Sequence, residues 1–205
     1  MTISATTRSR RPKEWTTRTS PRTTTTSRAA PRTRRFGIAL GSNLGPSRRT
    51  LREAIDLLEE RLGPLEVAPI YRTEPVGDRS QPDFLNSVVV GRTSLGAEAL
   101  LDLLMRLERR FGRRRELPGG PRTLDLDLLF LGRSVRRQRS PLLPHPRLRE
   151  RRFVLQPLAD LVPDLRLPPD GRTPRELLAE LPRRPWARLD SRAPHPPVRH
   201  SGVSR

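Results

Sequence analysis

Cysteine is absent from the 205 residues. That excludes a disulfide, a thiolate zinc site and a cysteine nucleophile, and a cysteine-free chain suits a reducing compartment, so a cytoplasmic location is expected. Aromatic residues make up only 4%, with a single tyrosine. No apolar run reaches the ~18 residues of a spanning helix. The N-terminus lacks the apolar core of a secretory signal, so no membrane partner is expected. Lysine occurs once, at Lys13. The glycine-rich phosphate loop that ends in Gly-Lys-Ser/Thr is therefore missing, and a Walker-type kinase is excluded.

Positive charge is abundant. The net charge of +19 first points to nucleic acid. Its distribution weakens that reading. Residues 1–35 carry ten basic residues against one acid, Glu14, which is nearly half of the excess. Rich in Thr, Ser, Arg and Pro, this stretch has too little to bury to offset the entropy of ordering, and a disordered basic leader is expected. Its composition also resembles an organelle transit peptide, without the amphipathic periodicity of one. Residues 36–181 are expected to form one domain, and residues 182–205 a loose tail dominated by Pro and Arg.

Hydrophobic periodicity organises the middle. Phe36 to Leu40 is a short apolar run ending in Gly-Ser-Asn, which reads as a buried strand. Leu51, Ala54, Ile55, Leu58 and Leu62 follow at helical spacing, with Gly63 as the stop. Leu65 to Val76 is extended but broken by Pro69 and Pro75, which suits an edge strand running into a loop. Phe84 to Val90 reads as a strand, Ala97 to Phe111 as a second helix, and Leu124 to Leu131 as a last strand. The order β-α-β-β-α-β predicts an α+β, ferredoxin-like domain, with an antiparallel sheet and both helices on one face. Pro-rich C-terminal additions carry short helical pieces near 147–151 and 174–181. A monomer is expected.

One segment breaks its local rule. Aspartate is disfavoured in strands, yet Asp125 and Asp127 stand at i and i+2 in Leu124-Asp125-Leu126-Asp127-Leu128. Strand alternation puts both carboxylates on one face, roughly 6–7 Å apart, and the leucines on the other. Two such carboxylates suit hard cations shared with substrate phosphates. A solvent-facing strand with polar side chains outward would carry the same pattern. Arg113, Arg114, Arg115 and Arg122 flank this strand, and Arg147, Arg149, Arg151 and Arg152 lie further on. Guanidinium forks suit phosphate oxygens, although any one arginine could be simply solvated. His145, in Leu143-Pro144-His145-Pro146, could donate to phosphate. Asn86 and Phe84 could read and stack on a heterocycle.

Five segments together resemble one family over residues 36–165. They are Ala39-Leu40-Gly41-Ser42-Asn43-Leu44-Gly45, Tyr71-Arg72-Thr73-Glu74-Pro75-Val76-Gly77, Gln81-Pro82-Asp83-Phe84-Leu85-Asn86, Gly120 to Asp127, and Leu143 to Pro146 with Arg151 and Phe153. The chain resembles 2-amino-4-hydroxy-6-hydroxymethyldihydropteridine pyrophosphokinase of the folate pathway. The resemblance implies transfer of pyrophosphate from ATP to the hydroxymethyl group of a dihydropterin, with release of AMP. It implies two Mg²⁺ ions held by Asp125 and Asp127. Arg113 and Arg122 would assist the transfer. It implies a pterin pocket of Thr73, Pro75, Val76, Phe84, Asn86 and Phe153. The ATP side would comprise Glu108, Arg113, Arg122, Leu128, His145 and Arg151. Flexible loops are implied near Gly45, at 75–81 and at 113–120. The rival reading is a basic ferredoxin-like nucleic-acid-binding module, which shares the strand order. Such a binder would carry aromatic-rich basic motifs on its central strands, where this chain carries paired aspartates.

Overall fold

The computed structural model describes residues 32–75, 80–113 and 120–191. The longest strand, β4 (Phe84–Thr93), lies inside the sheet beside β1 (Arg34–Ser42). The sheet runs β5 (Asp125–Leu131), β1, β4, β3 (Tyr71–Thr73), β6 (Ala187–Leu189), with β2 (Leu65–Val67) also paired to β4. Every pairing is antiparallel. β2 and β3 are two pieces of one broken strand, interrupted at Pro69 as expected. β1 starts at Arg34 and pairs Arg34 with Thr93, two residues before the expected onset of order.

The helices α1 (Ser47–Leu62) and α2 (Ala97–Arg110) cover one face. Leu51, Ala54, Leu58, Leu100, Leu104 and Leu107 pack there against Phe36, Ile38, Leu40, Val89, Leu126 and Leu128. Full burial of such a side chain contributes about 1.5–3 kcal/mol. The antiparallel sheet and the two helices on one face are as expected from the ferredoxin-like order.

The opposite face corrects the sequence reading. The short helical pieces expected near 147–151 and 174–181 are present, as one turn at Leu148–Glu150 and as α4 (Pro174–Glu180), but a further helix, α3 (Arg152–Leu161), packs with α4 on this face. Val154, Leu155, Leu158, Leu161 and Leu177 meet Ala39, Val88, Val90, Leu129 and Phe130. Pro157 inside α3 hid this helix, since an interior proline removes a backbone bond and argues against helix. Pro157 is itself buried. α4 opens with a capping box, Thr173 and Glu176 each accepting from the other's backbone N–H.

The expected loose tail from residue 182 is corrected too. Residues 187–189 form β6 on the free edge of β3, and Asp190 is 4% exposed. An unpaired edge is a row of open backbone groups, which a short added strand satisfies. Residues 1–31 and 192–205 lie outside the described residues. Among the described residues no helix is long and apolar enough to cross a membrane.

Candidate active site

The strand register assembles the site. Leu126 and Leu128 of β5, and Leu124 just before it, are buried against the α1–α2 side, so Asp125 and Asp127 face the other way. Gly41 of β1 pairs with both Asn86 of β4 and Asp125 of β5. Tyr71 of β3 pairs with Asn86. A row Tyr71–Asn86–Gly41–Asp125 thus crosses four strands, with Asp127 and Ala39 one step along. Asn86 and Asp125 are two strand spacings apart, about 10 Å. A methyl group on Gly41 would stand 2.8 Å from Asn86 Oδ1 and 3.8 Å from Asp125 Cβ. Glycine therefore leaves the floor between them open.

Both aspartates are surrounded by cations. Asp125 pairs with Arg122 and, at 2.7 Å, with Arg113 Nη1. Asp127 pairs with Arg151 Nη1 at 2.9 Å and faces His145 Nε2 at 3.8 Å. Arg151 immediately precedes α3, so the start of that helix carries Arg151 and Phe153 to the site, with the guanidinium 5.4 Å from the Phe153 ring centre.

His145 is held beside β5 by its N–H, which donates to the Leu129 carbonyl at 2.8 Å. Its Nδ1 accepts from the Arg147 N–H at 3.1 Å, which assigns the ring proton to Nε2. Burial pushes the imidazole below its ordinary pKa of 6.5, against the raising effect of Asp127. The ring is then neutral at pH 7, with an N–H to offer. The unfolded chain takes up this proton at a higher pH than the folded one. The contribution is present above about 6.5 and is lost as pH falls. In the metal-free protein, the thermal midpoint is expected to drop from pH 7 to pH 5, and more steeply in wild type than in His145→Gln. Equal slopes in the two proteins would remove His145 from that account.

On the β3–β4 side, Asn86 Nδ2 donates to Thr73 Oγ1 at 2.7 Å, and both residues are buried. This fixes the Asn86 amide with Oδ1 turned over Gly41. Phe84 is half-buried on the same side of β4, and Pro75 is buried. Val76 lies outside the described residues, as do Arg114 and Arg115.

Two residues that the resemblance placed on the ATP side are buried. Leu128 is 4% exposed in the α1–α2 core, so its side chain does not reach the site. Glu108 of α2 is 4% exposed. Its Oε1 accepts the Leu126 N–H at 2.8 Å and pairs with Arg113. Leu126 is the residue between the two aspartates, so this carboxylate holds their strand from its open edge.

Three residues gain parts that the sequence did not reveal. Asn43, 6% exposed, donates to Gln81 Oε1 at 3.0 Å and to the Pro82 carbonyl at 3.1 Å, and accepts the Arg122 N–H at 2.7 Å. It ties the loop before β4 to the loop before β5. An asparagine at a strand end that also bonds its neighbours' backbone was the available signal. Gly41 is the open floor. Thr123 Oγ1, two residues before Asp125, is the one buried side-chain polar atom among the described residues without a protein partner. Such orphans mark places where a ligand or water completes the bonding. A cleft of about 310 Å³ adjoins His145, walled by Val135, Leu142, Pro144 and Arg149.

The donor set fits a magnesium site. Among the described residues no group of three or more His, Cys, Asp or Glu side chains could by itself hold a metal ion. Mg²⁺ is typically held by one or two carboxylates together with substrate phosphates and water. Asp125 and Asp127 supply the carboxylates, amid arginines suited to phosphate.

Residues 37–163 match the family model for 7,8-dihydro-6-hydroxymethylpterin-pyrophosphokinase (HPPK). A 2-amino-4-hydroxy-6-hydroxymethyldihydropteridine pyrophosphokinase of Pseudomonas aeruginosa is 46% identical over 152 residues, 72% of this chain and 92% of the relative. Its counterpart in Bacillus subtilis is 44% identical over 126 residues, 60% of this chain and 75% of the relative. A solved HPPK-DHPS chain in complex with substrates shares the fold with a TM-score of 0.59 at 15% identity, over 72% of this chain. The match spans 44% of that longer chain.

Proposed function

The chain belongs to the 7,8-dihydro-6-hydroxymethylpterin-pyrophosphokinase family, and from that premise we propose how its residues divide the work. The reaction is transfer of pyrophosphate from ATP to the hydroxymethyl oxygen of 6-hydroxymethyl-7,8-dihydropterin, in folate biosynthesis. The oxygen attacks the β-phosphorus and AMP leaves. The nucleic-acid reading finds no support in the family match.

The observation that carries the assignment is the row Asn86–Gly41–Asp125. It sets an amide fit to read a heterocycle two strands from a carboxylate fit to hold a cation, with no side chain between. On the pterin side, Thr73 fixes Asn86, whose Oδ1 accepts from a ring N–H. Phe84 and Phe153 supply aromatic faces and Pro75 an apolar rim; the resemblance gives Val76 to the pterin as well. On the ATP side, Arg113, Arg122 and Arg151 grip phosphate oxygens with their forks. His145 donates from Nε2 to a phosphate oxygen. The apolar walls beside His145 suit the nucleoside. Glu108 acts from the open edge of β5 and Leu128 from beneath it, both by holding that strand in place. Asp125 and Asp127 would hold two Mg²⁺ ions. Bound there, these supply charge neutralisation of the phosphates and a lowered pKa for the attacking hydroxyl. Little covalent work is left to the protein, since phosphoryl transfer depends mostly on positioning and electrostatics. We place the enzyme in the cytoplasm as a monomer that needs neither nucleic acid nor membrane.

The purified chain is expected to release AMP from ATP only when both hydroxymethyl-dihydropterin and Mg²⁺ are present. A short RNA at physiological salt should not bind with comparable affinity. AMP release that ignores the pterin would sink the substrate assignment.

A further inference from the structure

The pterin-side strand β3 is three residues long and leads directly into Glu74 and Pro75. One of its edges is held by β4. The other is held by β6, in the register Tyr71–Leu189, Arg72–Arg188 and Thr73–Ala187. β6 lies beyond the residues matched by the family model. Its own side chains bury little, with Arg188 and Leu189 exposed. What fixes it is the next residue. The Asp190 N–H donates to the Ile70 carbonyl at 2.9 Å. The Asp190 carboxylate accepts from Arg48 Nε at 2.6 Å and Nη2 at 2.7 Å. Arg48 is in the first turn of α1, just after the loop that carries Asn43. Arg72 of β3 adds a second cation, 4.0 Å from Asp190.

We infer that Asp190 and Arg48 are positioning residues for the pterin: their ion pair clamps β6 onto β3 and so holds the Thr73 hydroxyl within hydrogen-bond reach of the Asn86 amide. A two-pronged guanidinium–carboxylate contact fixes angle as well as distance, and Asp190 is almost wholly shielded from solvent. A three-residue strand with one free edge would be a weak support for a residue that must orient a neighbouring amide. With both edges bonded, Thr73 cannot shift along β4. The inference rests on the assignment of Thr73 and Asn86 to the pterin.

The test uses the full chain carrying Asp190→Asn, Arg48→Gln, the double variant, and Asn86→Ala as a control. KM for the pterin should rise about tenfold in Asp190→Asn, equivalent to ~1.4 kcal/mol. KM for ATP and kcat should move less than threefold. Because the two residues act as one unit, the double variant should be no worse than either single one. If a single variant fails to fold, the double variant, which removes both charges, supplies the reading. An unchanged pterin KM in folded variants overturns the clamp. Equal rises in both KM values, with a lowered melting temperature, also overturn it in favour of general loosening. Asn86→Ala separates the two levels. If it raises the pterin KM while Asp190→Asn does not, the clamp alone falls. If it does not, the pterin assignment falls first.

Discussion

Asp125→Ala and Asp127→Ala are each expected to slow AMP release about a thousandfold, which corresponds to ~4 kcal/mol of transition-state stabilisation. The carboxylates face an open floor at Gly41 rather than the core, so their loss opens no cavity. Each variant instead leaves arginines short of a partner: Arg113 and Arg122 at Asp125, Arg151 at Asp127. Partly exposed cations tolerate this, and the far side of the strand, with Leu124, Leu126 and Leu128, is untouched. Melting temperatures should stay within a few degrees of wild type. The measurement is single-turnover AMP release at saturating Mg²⁺, beside thermal unfolding. A folded variant that retains a tenth or more of the wild-type rate would remove that aspartate from the metal site. Asp→Asn at the same positions should be nearly as slow, because the shape is kept and the charge is lost.

Glu108→Leu is expected to lower stability by about 3 kcal/mol, toward the lower end for breaking a buried ion pair from one side. The loss stays low within that range because Arg113 keeps Asp125 as a second partner. The Leu126 N–H keeps none, and an unmet buried donor is part of the cost. Glu108→Gln retains an acceptor for that N–H and should lose less than half as much. Urea unfolding checks this through a lower midpoint at constant slope. The same variants should slow turnover, since Leu126 separates the two aspartates. If Glu108→Leu weakened ATP binding with full stability, the carboxylate would instead be a direct nucleotide contact.

Much of this was legible in the chain, and the reasons are local. The 3.6-residue stripes of α1 and α2 and the paired aspartates on β5 are signals carried within a dozen residues. α3 was not legible, because Pro157 speaks locally against a helix and only the buried face of the sheet overrules it. Leu128 and Glu108 were placed on the ATP side by resemblance. Their burial follows from which way the strand and helix turn, and that is set by packing. β6 was hidden because its sequence is Pro- and Arg-rich, and its pairing depends on an edge that exists only once β3 is formed.

The sequence alone determined the β-α-β-β-α-β order, the two-aspartate strand and the family, because periodicity and motif spacing are properties of neighbouring residues. The tertiary structure decided the rest. The register across β4, β1 and β5 set Asn86 and Asp125 on either side of Gly41. Arg151 met Asp127 through the placement of α3. Arg48 and Asp190, 142 residues apart, met at the edge of β3. Contacts at such separation carry no local signature, since they are fixed by strand pairing and helix packing after the chain has closed on itself.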